Sequence, residues 1–341
     1  MDFTPGVAEA AASELAGQVL AAEGASGWKE LAAAGLLSLA VPAELGGDGL
    51  GTQAIAAVLT EVGRHAAEIP ALSTLALGVL PVAQSADAAV QRHLLAGVAS
   101  GDTVLTAAIR EPSDPMPGIP RTTVTGGSVS GTKVGVPDAA AARWILVPAS
   151  LDGARTVVAV VEPGSSGVAC QRTRSSSGRP EYTLRLDAAA VRFLLDGCGP
   201  ERLYRSAIAG VCAVADGVLA AALELTTEHV RTRQQFGRPL ATFQAVAQQI
   251  ADVYAAARTV HLATVSACWR MDPADLDVAA YWLARYGPPA LRTCHQLHGG
   301  LGMDASYPLP RYSALMTDLV AMLGGAEYQL DRLAERESVR G

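Results

Sequence analysis

The sequence predicts a mainly α-helical protein with a central β domain. Three observations predict this. Ala- and Leu-rich stretches with helical spacing fill both ends of the chain. Short β-branched runs, separated by Gly, Pro and Asp, fill the middle. Half of the residues are hydrophobic but only 5% are aromatic, which suits helices packed through small side chains. A chain of 341 residues can form two or three domains, or one multi-layer unit. The spans expected are a helical domain over 1–102, a β domain over 103–197 and a helical bundle over 198–341.

Residues 7 to about 100 read as helices, because no β-branched run interrupts the Ala and Leu periodicity. Pro42-Ala-Glu-Leu-Gly46-Gly47-Asp48-Gly49-Leu-Gly51 reads as a connecting loop; no predicted strand precedes it, as a phosphate cradle would require. From Thr103 to Phe193 the pattern changes. Val104–Ile109, Thr122–Thr125, Ser128–Val134, Trp144–Pro148, Thr156–Val161 and Tyr182–Leu186 read as short strands, a small barrel or sandwich. Arg172 to Pro180 reads as a surface loop. Beyond residue 200, apolar-periodic segments over 201–231, 242–270, 274–297 and 312–336 read as long helices. Gly287-Pro288-Pro289 need not break the third, because Pro is tolerated in a helix's first turn.

Net charge is -7, with Lys+Arg 26 against Asp+Glu 33. That argues against a nucleic-acid binder while leaving room for a local basic pocket. Cys170, Cys198, Cys212, Cys268 and Cys294 lack the spacing of a disulfide scaffold or a zinc site, so buried thiols are expected. The amino terminus, Met-Asp-Phe-Thr-Pro, has neither a basic nor an apolar leader segment. No stretch reads as the roughly 18 uncharged apolar residues of a membrane span once Gly- and Pro-punctuated runs are discounted. The expectation is a cytosolic, cytoplasmic protein.

Two segments carry chemistry. Arg231-Thr-Arg233-Gln-Gln-Phe236-Gly237-Arg238-Pro239 packs cations, a ring and a Gly-x-Pro turn between two helices. By itself it reads as a basic helix end with a Gly cap. Gln296-Leu-His298-Gly299-Gly300-Leu-Gly302-Met303 lies downstream. By itself it offers an interhelical hydrogen bond and a helix cap. Together, and in this order, the two resemble the R-x-x-F-G and Q-x-x-G-G-x-G signatures of the acyl-CoA dehydrogenase family. The resemblance spans essentially the whole chain and is strongest over 201–336. The Pro42–Gly51 loop also resembles that family's amino-terminal loop.

The resemblance implies an amino-terminal helical domain, a middle β-barrel domain and a carboxy-terminal four-helix bundle. It implies FAD lying across a subunit interface, its ADP half gripped by the bundle of one subunit and its ring held by the other. Carried over by motif, Arg233 would contact the pyrophosphate, Phe236 would pack on the cofactor and Gln244 would hydrogen-bond near it. Gln296, Gly299 and Gly300 would meet the ADP half of the neighbour's flavin. The residue types suit a pyrophosphate, since Arg is a permanently charged fork of donors and Gly lets backbone N–H groups approach an anion.

Departures from the family pattern are selective. The family's catalytic Glu lies in a Y-E-G-T segment; the matching position here is Gly325. Members with the base on an earlier helix would place it at Ala207. Glu327 and Glu201 lie nearby but out of register, where a helix aims them elsewhere. The ring-cradling T-E-P-x-A-G-S-D loop is Ile109-Arg110-Glu111-Pro112-Ser-Asp114-Pro115 here, and the W-I-T strand end is Lys133-Val-Gly135-Val-Pro137-Asp138. This combination, with Leu323-Gly-Gly-Ala-Glu-Tyr-Gln-Leu-Asp331-Arg332-Leu333, resembles the smaller subunit of actinobacterial α2β2 enzymes of the steroid side-chain type. It implies a larger homologous partner that supplies the base and ring pocket, an acyl-CoA substrate, and electron-transfer flavoprotein as acceptor. A self-sufficient homotetramer with Glu327 as base and a flavin-free structural paralogue remain as alternatives.

Overall fold

The computed structural model describes residues 3–23, 27–84, 87–153, 155–195 and 198–340. The expected domain boundary at residue 197, and Met1 and Asp2 of the amino terminus, lie outside them. The amino-terminal part holds α1 (Val7–Glu23), α2 (Trp28–Ala33) and α3 (Thr52–Arg64). A π-helical segment (Leu72–Val79) then runs into α4 (Leu80–Ala83), and α5 (Ala88–Leu95) follows. On α3, Ile55, Val58, Leu59 and Val62 are buried at helical spacing and make one core-facing stripe. The Asp87 carboxylate accepts from the N–H groups of Ala89 and Val90 and so starts α5. Gly46-Gly47-Asp48-Gly49 is a connecting loop folded back on Ser38 and Val41.

The middle part is one eight-stranded mixed sheet. Its strands are β1 (Leu105–Ala107), β2 (Thr123–Thr125), β3 (Ser128–Pro137), β4 (Trp144–Leu151), β5 (Arg155–Val161), β6 (Val168–Thr173), β7 (Glu181–Ala190) and β8 (Phe193–Leu194). The order is β6-β7-β3-β2-β4-β5-β8, and β1 pairs in parallel with the start of β4. Along β4 and β5 successive residues serve two cores. Trp144, Leu146, Val158 and Val160 join the helical core, while Ile145, Val147, Ala159 and Val161 join a second cluster with Val129, Val136 and Leu184. The β6 strand, absent from the sequence reading, runs into the expected Arg172–Pro180 loop. Its side chains are half-buried or exposed, so it carries no apolar run to read.

The bundle comprises α6 (Pro200–Thr232), α7 (Gln244–Arg270), α8 (Pro273–His298), α9 (Leu309–Met322) and α10 (Gly325–Arg340). Two expectations need correcting. The 312–336 segment is two helices, because Gly324 and Gly325 adopt φ of +86° and +84° and turn the chain. And α6 does hold a stretch long and apolar enough for a membrane span; 83% of it is buried inside the protein, as in a core helix. Close packing of α3 on α6 explains Gly63 and Gly217. A Cβ on Gly63 would collide with the Val214 carbonyl, and one on Gly217 with the Thr60 carbonyl. α8 continues through Pro288 and Pro289. Four of the five cysteines are buried and all are free. The buried Asp277 of α8 accepts from Arg332 and Arg336, which clamps α10 onto the bundle.

Candidate cofactor site

At the end of α6, the Arg233 N–H donates to the His229 carbonyl at 2.9 Å. The chain then reverses in a two-stranded ribbon, β9 (Gln234–Gln235) against β10 (Arg238–Pro239). Its turn is Phe236-Gly237, with φ of +53° and +78°, the left-handed pair that a two-residue hairpin uses. The Leu240 N–H donates back to the Arg233 carbonyl at 2.9 Å and closes the loop. Phe236 stands at the tip, 92% exposed. The Arg238 guanidinium lies 4.1 Å from the ring centre of Phe243, the residue that precedes α7. Gln244 opens α7 and is exposed.

α8 ends beside this loop. The rings of His229 and His298 stack with centroids 4.3 Å apart and planes 21° apart. One stacked pair thus joins the Arg233 segment to the Gln296 segment. Gly299 has φ +58° and ψ −135°, a conformation open essentially to glycine alone. A Cβ on Gly299 or Gly300 would meet nothing within 4 Å, so both backbones face open space. Arg233, Gln296, Gly299 and Gly300 are exposed. The structure gathers Arg233, Gln296, Gly299 and Gly300 at one end of the bundle, with Phe236 and Gln244 on the adjoining ribbon and helix start.

The histidines escaped the sequence reading. The His298 Nδ1–H donates to the Cys294 carbonyl at 2.8 Å. That leaves Nε2 as an acceptor, buried and without a partner. Burial lowers the His298 pKa most; the hydrogen bond to the Cys294 carbonyl opposes it, and His295 adds a smaller push downward. Burial likewise lowers that of His229, followed by His298 and Arg233. The available signal was a titratable ring between Gln296 and Gly299, four residues from a buried cysteine.

The second half of the candidate site lies in the β domain. Lys133 and Glu111 are buried, with Nζ 2.8 Å from Oε1. Glu111 also accepts from the backbone N–H groups of Arg121 and Thr122, at 2.8 Å and 2.9 Å. Burial pushes the Glu111 pKa up, but bonds from Lys133 and Thr122 bring it below the usual value. Burial costs Lys133 more than Glu111 returns, so its pKa falls to about 8. The two shifts pull opposite ways on the pair; the geometry favours the ionised form of both below pH 8.

Arg110 fills the adjacent space. A Cβ on Gly135 would lie 2.6 Å from the Arg110 Nη1. Burial lowers the Arg110 pKa and Glu181 opposes it. β3 is irregular between Lys133 and Val136, which lets Gly135 pass beneath this guanidinium. Gly325 borders a cavity of about 580 Å³ whose other walls include Arg110, Asp114, Val134, Thr317 and Tyr328. Ala207 is fully buried in the helical core. Glu327 is exposed, and Glu201 pairs with Arg205 and Arg336. The missed residues here are Arg110 and Lys133. A lysine inside the apolar alternation of β3 was the signal.

Comparison with known proteins gives the family. The family model described as "Acyl-CoA dehydrogenase, N-terminal domain" matches residues 3–102. The one described as "Acyl-CoA dehydrogenase, C-terminal domain" matches residues 202–337. The chain is 44% identical over 346 residues to acyl-CoA dehydrogenase FadE28 of Mycobacterium tuberculosis, covering 99% of this chain and 100% of that one. It superposes on the ChsE4-ChsE5 complex from Mycobacterium tuberculosis with a TM-score of 0.92 and 30% identity, covering 99% of each chain. On the steroid ACAD Tcur3481-Tcur3483 the TM-score is 0.90 at 32% identity, covering 98% of this chain and 99% of that one. FAD is the cofactor of these enzymes' family. The chain belongs to the acyl-CoA dehydrogenase family.

Proposed function

We propose that this chain is the nucleotide-gripping subunit of a heteromeric FAD-dependent acyl-CoA dehydrogenase. The complex would convert an acyl-CoA thioester to the trans-2-enoyl-CoA. The observation that carries this reading is the contrast between the two half-sites. The bundle end presents Arg233, Gln296 and the open Gly299-Gly300 backbone, which suit a diphosphate. The ring-side half instead sets the Arg110 guanidinium against Gly135 and buries the Glu111–Lys133 pair beside it, a departure from the family's ring-cradling loop. No acid stands at Gly325 or Ala207.

When bound, the flavin accepts the hydride from the substrate's β carbon. This chain's residues would hold its far end. Arg233 would neutralise diphosphate charge with N–H donors, and Gly299-Gly300 would bring backbone N–H groups close. Phe236 would lay its exposed ring on the cofactor, and Gln244 and Gln296 would orient the adenosine half. The proton at the α carbon would go to a carboxylate of a larger homologous partner. Support for that partner comes from the similar chains solved as the ChsE4-ChsE5 complex and as Tcur3481-Tcur3483. A steroid-bearing acyl-CoA is the substrate class proposed, because the second of these is a steroid ACAD. Electron-transfer flavoprotein is the acceptor proposed.

Co-purification of the chain with a co-encoded larger homologue, followed by an acyl-CoA oxidation assay, tests the reading. Activity should require both chains. Full turnover by this chain alone would refute it.

A further inference from the structure

We propose that the His229–His298 stack is a proton-accepting part of the nucleotide grip: as a dinucleotide diphosphate docks at Arg233, one ring of the pair takes up a proton from solvent. The inference rests on the reading of this bundle end as the nucleotide site.

The geometry sets the conditions. Two imidazoles lie face to face with centroids 4.3 Å apart, so charging both brings like charges into contact. His298 is 5% exposed, and its Nδ1 proton is committed to the Cys294 carbonyl. Its buried Nε2 has no partner and offers a lone pair that a proton can occupy. The Cys294 carbonyl favours a charged His298, but burial outweighs it and the other neighbours favour neutral rings. From α6, Arg233 opposes charge on His229. From α8, His295 opposes charge on His298, while its own Nε2 bonds the Ser313 hydroxyl of α9 at 2.6 Å. From the segment before α9, the neutral Tyr307 ring lies 5.3 Å from that of His298. Among the described residues, no Asp or Glu forms an ion pair with either ring.

A diphosphate at Arg233 reverses this balance. It cancels the guanidinium charge that disfavours a charged His229 and adds negative charge beside the stack. The pair's proton affinity is therefore higher in the bound state than in the free state. The sign follows from linkage. Well below the free-state pKa, which lies under the ordinary 6.5 for both rings, a ring is already charged and nothing is taken up. Well above the bound-state pKa, the pair stays neutral. Between the two, binding takes up a proton and tightens as pH falls, by at most tenfold per pH unit for one proton.

ADP-ribose is a suitable probe. Its diphosphate is a diester that does not titrate near neutrality, and it lacks the flavin ring that the partner would hold. Titration calorimetry of the full chain in buffers of different ionisation enthalpy, from pH 6 to pH 8, reads both affinity and protons exchanged. The expected result is proton uptake with affinity rising severalfold as pH falls, and loss of the uptake in His229→Phe or His298→Phe, which keep a ring in the stack. Should either variant fail to fold, the pH dependence of the unmodified chain decides. Binding with pH-independent affinity and no proton exchange overturns the inference and leaves the nucleotide site standing. Uptake that persists in both folded variants also overturns it. No binding at any pH overturns the nucleotide-site reading and the inference with it.

Discussion

Lys133 places its Nζ 2.8 Å from the Glu111 carboxylate, and both side chains are buried. The pair is a structural hub: Glu111 also anchors the backbone N–H groups of Arg121 and Thr122. Removing one partner strands the other's charge. Lys133→Met should therefore cost roughly 3–5 kcal/mol of stability. The double variant Lys133→Met with Glu111→Gln should recover part of that loss. Urea unfolding of the three proteins checks the order.

The same lysine gives a pH signature. Its folded pKa of about 8 lies below the ordinary 10.5. Between these values the unfolded chain binds more protons than the folded one, so this group's contribution to stability rises with pH. The stability of the unmodified chain relative to Lys133→Met should improve from pH 8 to pH 10. A flat or falling difference in urea unfolding would show that Lys133 keeps its ordinary affinity for protons.

On the proposed reading, an acid placed at Gly325 does not create an active site in this chain. Gly325 has φ +84°, so Gly325→Glu strains the backbone by roughly 1 kcal/mol, and on the proposed reading the flavin ring is held by the larger partner. The variant alone should show no acyl-CoA oxidation above background. Turnover in a stopped-flow assay would mean that the chain holds a ring of its own.

At the bundle end, Arg233→Ala removes a charge-assisted contact of roughly 1.5–3 kcal/mol, or about 10- to 150-fold in FAD affinity of the assembled complex. Fluorescence titration with FAD measures this directly. An affinity unchanged within error would remove Arg233 from the grip.

Gly299 and Gly300 should separate backbone strain from ligand contact. Gly299→Ala forces φ +58° on a residue with a Cβ and should cost roughly 1–3 kcal/mol in thermal unfolding of the chain alone. Gly300→Ala has open space and should leave stability nearly unchanged while weakening nucleotide binding. Equal melting temperatures for both variants would contradict this.

Local periodicity made the helices legible, along with most of the strands. β6 was not, because its side chains are half-buried or exposed and carry no apolar alternation. The break between α9 and α10 was hidden inside a continuous apolar rhythm; the positive φ of Gly324 decides it. Arg233, Gln296 and Gly299 were visible as motifs, because their order in the chain survives without geometry. What joins them, the ring contact between His229 and His298, spans two helices far apart in sequence. The ring-side half was only partly legible: the departure of the Lys133–Asp138 strand end from the family motif could be seen, but not that the Arg110 guanidinium lies against Gly135.

The most direct measurement is the visible absorbance of this chain purified alone and together with the proposed larger partner, each after incubation with FAD. The expected result is a colourless isolated chain and a yellow complex that loses its flavin when Arg233→Ala is placed in this chain. An isolated chain that retains stoichiometric FAD and bleaches on adding acyl-CoA would contradict the division of the flavin site between two subunits.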